Sequence, residues 1–283
     1  MQRSGIDVSN WQGDINWQKV KASGQVEFVI IRAGYGDALS YPKQNDPKFE
    51  RNYKGCKDNG IPVGAYWYAY ATTPEQARQE ARACIAALKG KQLEYPILYD
   101  VEEQRIFKTG RTNEIIKAFC DEMEAAGYWV GIYIYRSAAQ SYLSEQTRTR
   151  YTMAIAEYAS QLHYSGEYGF WQNSSTWRVD GISGNVDHDW CYKDYPTRIK
   201  EKGLNGFPKP SSEFRIETIT DTDILMGTAT KDAPPIQACV GAGKQYTIDK
   251  TVTIDGQQFG KIKESTEKAD RSRWINLKTC KKV

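Results

Sequence analysis

Histidine is scarce in this chain, with only His163 and His188 among 283 residues, and no two cysteines form a CxxC pair. Zinc sites and Cys/His nucleophilic pairs both need such residues at short spacing. Neither chemistry is expected, and neither a metal nor any other cofactor is called for. The six cysteines, at 56, 84, 120, 191, 239 and 280, are too scattered for a disulfide scaffold. Most read as reduced, half-buried thiols, and whether Cys239 and Cys280 pair stays open. Long apolar runs are missing too: none approaches the ~18–20 residues of a membrane helix, so no membrane insertion is expected. The opening Met1-Gln2-Arg3-Ser4-Gly5 has no apolar stretch of the secretory kind. It is the start expected of a chain made in the cytoplasm without a signal peptide. A net charge of +3 is too mild to point to nucleic acid, and the whole excess lies after residue 207.

Aromatics are abundant, with 19 Tyr and 8 Trp, and many fall in short β-like runs. These runs cover 5–9, 28–33, 62–69, 95–101, 128–135, 151–157, 168–172 and 184–187. Several are almost wholly apolar, as suits strands buried on both faces. Helical signals separate the early ones. Asp46-Pro47 resembles an N-cap and first turn, and Thr73-Pro74-Glu75-Gln76 resembles a capping box with proline at its first position. A third helix starts at Thr112, and shorter segments at 17–22 and 138–144 complete the set. Five strand–helix alternations followed by three strands joined by loops predict an irregular (β/α)5β3, TIM-like barrel spanning 1–205. An open doubly wound sheet is the alternative. A Gly/Pro/Ser-rich stretch places a linker at 206–213. Short strands in 214–283, at 214–219, 246–248, 258–262 and 274–277, predict a small, partly open all-β domain. Turn signals lie between them at 232–235, 241–244 and 255–256.

In such a barrel the chemistry lies at the C-terminal strand ends. Asp7 ends the first run, Asp100 and Glu102 the fourth, and Asp187 the eighth. Asp100 and Glu102 are two apart and share one orientation. If the eighth strand closes against the first, Asp187 neighbours Asp7 and four carboxylates face one pit. Crowded carboxylates cannot all ionise, and an acid held protonated beside carboxylates is what glycoside hydrolysis requires. Tyr66, Tyr133 and Trp171 lie near the same ends and are candidate sugar-stacking side chains. Tyr68 and Tyr135 read more readily as core. His188 reads as a loop histidine, and Gly34-Tyr35-Gly36 lacks the lysine of a phosphate loop.

GIDVSNWQGDINW (5–17), FVIIRAGYG (28–36), DPKFERNYKGCKDNGIPVGAYWY (46–68), PILYDVE (96–102), VGIYIY (130–135) and WQNSSTWRVDGISGNVD (171–187) together resemble glycoside hydrolase family 25, the Chalaropsis-type muramidases. The resemblance covers roughly 4–190 in the right order. It implies a five-helix, eight-strand barrel that cleaves the β-1,4 bond between N-acetylmuramic acid and N-acetylglucosamine in bacterial peptidoglycan. It makes Glu102 the general acid and then base. Asp100 would stabilise the transition state or orient the substrate's acetamido group, Asp7 and Asp187 would tune the network, and Tyr66 and Tyr133 would line the groove. The third strand departs from the usual Tyr-His-Phe pattern, reading Tyr66-Trp67-Tyr68. TIDGQQFGKI and RWINL resemble, more loosely, the last strands of a bacterial SH3-type domain. A muramidase with a wall-binding module and no export signal resembles a phage or prophage endolysin. A lapsed, sugar-binding barrel and a wall amidase or endopeptidase are the other readings. The Asp100/Glu102 pair argues against the first, and the shortage of histidine against the second.

Overall fold

A computed structural model of the chain describes residues 2–36, 44–209, 214–226, 235–263 and 273–283. The chain divides into two compact units, Met1–Lys209 and Pro210–Val283.

The first unit is a closed barrel of eight strands in sequential order: β1 (Arg3–Val8), β2 (Phe28–Tyr35), β3 (Val63–Tyr68), β4 (Ile97–Asp100), β5 (Val130–Tyr135), β6 (Thr152–Ala156), β7 (Phe170–Trp177) and β8 (Val186–Cys191). Closure through β1–β8 excludes the open doubly wound sheet. Neighbours from β1 to β7 are parallel, whereas β8 runs antiparallel to both β7 and β1. Only residues 178–185 separate β7 from β8. That is too short for a parallel crossover, and the chain turns back instead.

Helices wrap the outside: α1 (Trp17–Ala22), α2 (Phe49–Asp58), α3 (Pro74–Leu88), α4 (Gln104–Phe107), α5 (Thr112–Ala125), α6 (Arg136–Tyr142), α7 (Glu145–Arg150) and α8 (Tyr195–Lys202). Thr73 caps α3 as its sequence predicts, accepting from Gln76 N. The start expected at Asp46-Pro47 is corrected. Helix α2 begins at Phe49, after a turn in which Asp46 Oδ1 accepts from Lys48 N and Asp46 O from Phe49 N, while Asp46 Oδ2 accepts from Arg32 and Asn10 N. Helix α8 has no counterpart among the sequence-predicted helices, although Asp194 caps it and proline follows at its first turn.

Strand alternation sorts the core into two layers. Outward residues such as Trp67 and Tyr99 pack beneath the helices, with Tyr99 stacked on Phe119 at 3.8 Å between ring centroids. Inward residues plug the barrel with aromatic rings. Phe28 stacks on Tyr95 at 4.5 Å, and Phe170 on Tyr195 of α8 at 5.0 Å. Room for this plug is made at Gly5 and Gly169, where an added Cβ would lie 2.3 Å from the Phe28 ring and 1.8 Å from the Tyr195 hydroxyl. The plug forms an apolar floor, and above it Ile30 and Leu98 carry the polar mouth.

The second unit is one antiparallel sheet of seven strands: β9 (Phe214–Thr218), β10 (Thr222–Met226), β11 (Pro235–Val240), β12 (Gln245–Ile254), β13 (Gln257–Ile262), β14 (Arg273–Asn276) and β15 (Cys280–Lys282). Their order is β11-β10-β14-β13-β12-β9-β15. Its buried centre includes Val240, Ile248, Ile262 and Ile275. Asp255-Gly256 makes the tight β12–β13 turn, with φ of 49° and 74°, the doubly left-handed backbone of a two-residue hairpin. Strands β10, β11 and β15 add to the four that the sequence predicts, and Pro235 starts a strand instead of ending a turn. The rest of the expected 232–235 turn, the second half of the 206–213 linker and the Cys239 side chain lie outside the described residues.

Candidate active site

A pit of about 180 Å³ opens at the barrel mouth. Its wall includes Asp7, Asp100, Glu102, Asp187 and Asp189, together with Arg32, Tyr66, Tyr68, Tyr133, Tyr158 and Gln172. All four carboxylates named from sequence are there. Asp7 comes from β1, Asp100 from the last residue of β4, and Glu102 from the extended segment just past it. The Val101 amide still donates to Tyr133 O at 2.9 Å, which continues the strand's alternation and turns both acids inward. Asp187 needs a correction: it lies at the beginning of β8, not its end. Because β8 is antiparallel, its N-terminal end reaches the same mouth, and Asp187 sits directly opposite Asp7. The reversal also points Asp189, two residues further along, into the barrel. Asp189 was missed in the sequence because the eighth run appeared to stop at 187. The available signal was Asp187-His188-Asp189 itself, an alternation inside a strand.

Electrostatics follow from crowding above an apolar floor. Burial raises the Asp100 carboxyl well above the ordinary range, and the Glu102 charge adds to this. Glu102 is raised by burial and by the charges of Asp187 and Glu103, while a hydrogen bond from Asp100 opposes the rise. Asp7 is raised well above its ordinary value, first by burial and then by Asp189 and Asp187. Burial pushes Asp187 to about 6 and, with the Asp187 charge, Asp189 to about 8. Two buried oxygens, Asp100 Oδ1 and Asp189 Oδ2, receive no hydrogen bond. A bare anionic charge there would cost far more than a neutral carboxyl. The site therefore holds two hydrogen-bonded carboxyl pairs, in which the bond raises Asp100 and Asp7 and lowers their partners Glu102 and Asp189.

One neutral relay ties the pit together. Tyr133 and Tyr158 both donate to Gln172 Oε1, at 2.8 and 3.0 Å, which fixes the amide so that Nε2 donates to Asp7 Oδ2 at 2.7 Å. The cation on the wall, Arg32, is committed to Asp46, at 2.8 Å from Nε, and to Asn10. Tyr66 and Tyr133 line the pit as the resemblance implies. Tyr68, expected to be core, also lines it and donates to Glu103 at 3.1 Å. Trp171 does not: lying between inward Phe170 and Gln172, it faces away and donates its indole N–H to Glu157 O at 2.8 Å. Trp67, the departure in the third strand, is fully buried on the outer face and donates to Gly36 O. His188 is a strand residue, not a loop one. It lies outside the barrel between Ser4 Oγ and Asn173 Oδ1, with burial lowering its pKa. Among the described residues, no group of three or more His, Cys, Asp or Glu side chains is arranged to hold a metal ion.

A closed β/α barrel whose mouth carries acid–carboxylate pairs beside sugar-sized tyrosine walls defines a glycoside hydrolase. The chain belongs to the glycosyl hydrolases family 25, whose profile matches residues 6–182, and it is an enzyme of the lysozyme class. It is 30% identical over 186 residues to an autolytic lysozyme of Clostridium acetobutylicum, a match covering 65% of this chain and 54% of that one. The modular autolysin LytC of Streptococcus pneumoniae has a similar structure, at 31% identity and a TM-score of 0.60 over 68% of this chain and 47% of LytC. The chain thus spans about half the length of these two relatives. The spore cortex lytic enzyme SleM of Clostridium perfringens shares the fold across 97% of both chains, with a TM-score of 0.60 at 19% identity.

Proposed function

We propose that this protein is an N-acetylmuramidase that cleaves the β-1,4 bond between N-acetylmuramic acid and N-acetylglucosamine in peptidoglycan. The observation that carries this reading is the Asp100/Glu102 pair, hydrogen-bonded to each other and both raised by burial, on the wall of the pit at the mouth of a family 25 barrel. Glu102 is the less enclosed member and delivers the proton to the glycosidic oxygen as the bond breaks. Asp100 behind it relays that proton, orients the acetamido group and, once ionised, stabilises positive charge at the sugar carbon. Glu102 then acts as base for the incoming water. Tyr66, Tyr68, Tyr133 and Tyr158 supply ring faces and hydroxyls for the sugar. LytC, solved in complex with a synthetic peptidoglycan ligand, is a relative whose structure supports this substrate class.

The second unit, 210–283, is proposed to be an SH3-like wall-binding module, with the linker in the 206–213 stretch. Its basic excess, 12 Lys and Arg against 10 Asp and Glu in 210–283, suits anionic wall polymers. A catalytic barrel joined to such a module supports the further reading of a phage or prophage endolysin acting on the wall during lysis. Mass spectrometry of digested peptidoglycan tests the activity. New reducing ends at muramic acid are expected, and new free amines or free peptides without them would overturn it.

A further inference from the structure

We infer that Gln172 is a positioning residue of the reaction: its amide, locked in one orientation by Tyr133 and Tyr158, holds the Asp7 carboxyl in place on the wall of the pit. The inference rests on the muramidase reading and deepens it, since Gln172 is neither an acid of the pit nor a ring for the sugar.

Register places the side chain. Phe170 and Gln172 are successive inward residues of β7, the first in the aromatic floor and the second on the wall of the pit. Gln172 pairs with Ala156 of β6 and with Asp189 of β8. The pairing with β8 shifts between Gln172 and Ser174, so the regular run of β7 closes at Gln172. Its carbonyl accepts from Glu157 N at 3.0 Å, and its side chain is buried, with 4% exposure. Both ends of the amide are committed. Oε1 accepts from Tyr133 at 2.8 Å and Tyr158 at 3.0 Å, and Nε2 donates to Asp7 Oδ2 at 2.7 Å. Tyr158 is itself 61% exposed, so the relay runs from the rim of the mouth to Asp7.

An amide is the group this place requires. The pit carries five carboxyls, and its cation, Arg32, is held by Asp46 and Asn10. Gln172 reaches one of the five with a neutral N–H donor that has no proton to titrate. Two phenol O–H donors on Oε1 set the direction of the amide, because the reversed amide would turn its carbonyl against a carboxyl oxygen. The hydrogen bond between Asp7 and Asp189 raises Asp7 and lowers Asp189. The Asp7 proton therefore goes to Asp189, and the oxygen facing Gln172 accepts. A carboxyl held from two sides keeps a fixed direction toward the sugar, and small misplacements at such a site are costly in rate.

The test uses the full-length protein and a near-isostere. In Gln172→Glu the introduced carboxyl, when protonated, accepts from both tyrosines and donates its O–H to Asp7. When ionised it has no donor and faces Asp7 as a second acceptor. The titratable groups facing it are Asp7 on β1, Tyr66 on β3, Asp100 and Glu102 from β4 and just past it, Tyr133 on β5, Tyr158 past β6, and Asp187 and Asp189 on β8, while Arg32 on β2 is engaged by Asp46. Burial and these acids favour its protonated form at acid pH. Gln172→Glu is therefore expected to release reducing ends from peptidoglycan within about threefold of the wild-type rate at pH 5, and its ratio to wild type should fall severalfold by pH 8. Gln172→Met, similar in length and without a donor, should lose at least ~10-fold in kcat at both pH values, with KM changed less than about threefold. A Gln172→Glu ratio that is already low at pH 5, or flat from pH 5 to pH 8, overturns the inference, as does a Gln172→Met enzyme within threefold of wild type. Should Gln172→Met not fold, the Gln172→Glu profile decides alone. A ¹⁵N NMR spectrum gives a readout independent of activity. The side-chain amide pair that is missing in Gln172→Glu should exchange with solvent more slowly than exposed glutamine amides, and an unprotected pair overturns the inference. A wild-type protein that shows the protected pair but releases no reducing ends sinks the muramidase reading and leaves the held amide standing.

Discussion

Asp7 and Asp187 stand directly opposite each other on the antiparallel strands β1 and β8. Side chains at such positions are nearest cross-strand neighbours, and like charges there are destabilising. A sheet selected for stability alone would not pair them. Their juxtaposition places two carboxyl groups on one wall of a pit whose other wall carries Asp100 and Glu102.

Replacing the acid should abolish turnover without abolishing binding. Glu102→Gln is expected to lose at least ~100-fold in kcat, the usual scale for removing a general acid, while still binding wall fragments. Asp100→Asn should fall comparably. Glu102→Gln retaining more than about a tenth of the wild-type rate in a reducing-end assay would overturn its role.

Stability should fall as pH rises. Burial raises Asp187 to about 6 and Asp189 to about 8 in the folded protein, against an ordinary aspartate near 3.8. The folded state therefore binds more protons than the unfolded chain across that window. The stability these groups contribute is fully present below about pH 4 and is lost through pH 6 and pH 8. Thermal melts should show a lower Tm at pH 8 than at pH 5. Asp187→Asn should flatten that slope and raise stability at pH 8 by on the order of 1–2 kcal/mol, whereas a Tm that rises from pH 5 to pH 8 would contradict the burial argument.

Trp171 should behave as a structural residue. Its indole is 7% exposed and bonds Glu157 O. Trp171→Phe is expected to cost about 1 kcal/mol, the net worth of one hydrogen bond, with KM for soluble muropeptides unchanged. A severalfold rise in KM at unchanged Tm would return it to the groove.

Gly34 should tolerate no side chain. An added Cβ would lie 2.4 Å from Gln44 O and 2.5 Å from the Trp67 ring. Gly34→Ala is expected to cost roughly 1–3 kcal/mol through overpacking, read as a lower denaturant midpoint at unchanged m-value.

Separating the units should divide activity from targeting. A fragment ending at Lys209 is expected to cleave soluble muropeptides at near the full rate but to lyse whole cells poorly, and 210–283 should label sacculi. A fragment that lyses cells as fast as the full chain, with a tail that binds no wall, would remove the targeting role.

Much of the barrel was legible in the sequence because its signals are local. Apolar β-branched and aromatic runs mark strands wherever they lie, and Thr73-Pro74 caps a helix through its own hydroxyl and fixed φ. The spacing of Asp100 and Glu102 likewise gives them one orientation on any extended segment, so that pair belongs to the sequence alone. A period of two, however, says nothing of strand direction. The short 178–185 connection turns β8 back, and only closure of the barrel against β1 set its register, which put Asp187 opposite Asp7 at the mouth and drew Asp189 in below it. The same long-range assembly gave one oxygen of the Asp46 carboxylate to Arg32, and turned Trp171 outward. Proton sharing came last of all. It depends on how many anions and how little water share one small volume, and that is set where β1, β4, β7 and β8 converge above an aromatic floor, from residues up to 182 positions apart in the chain.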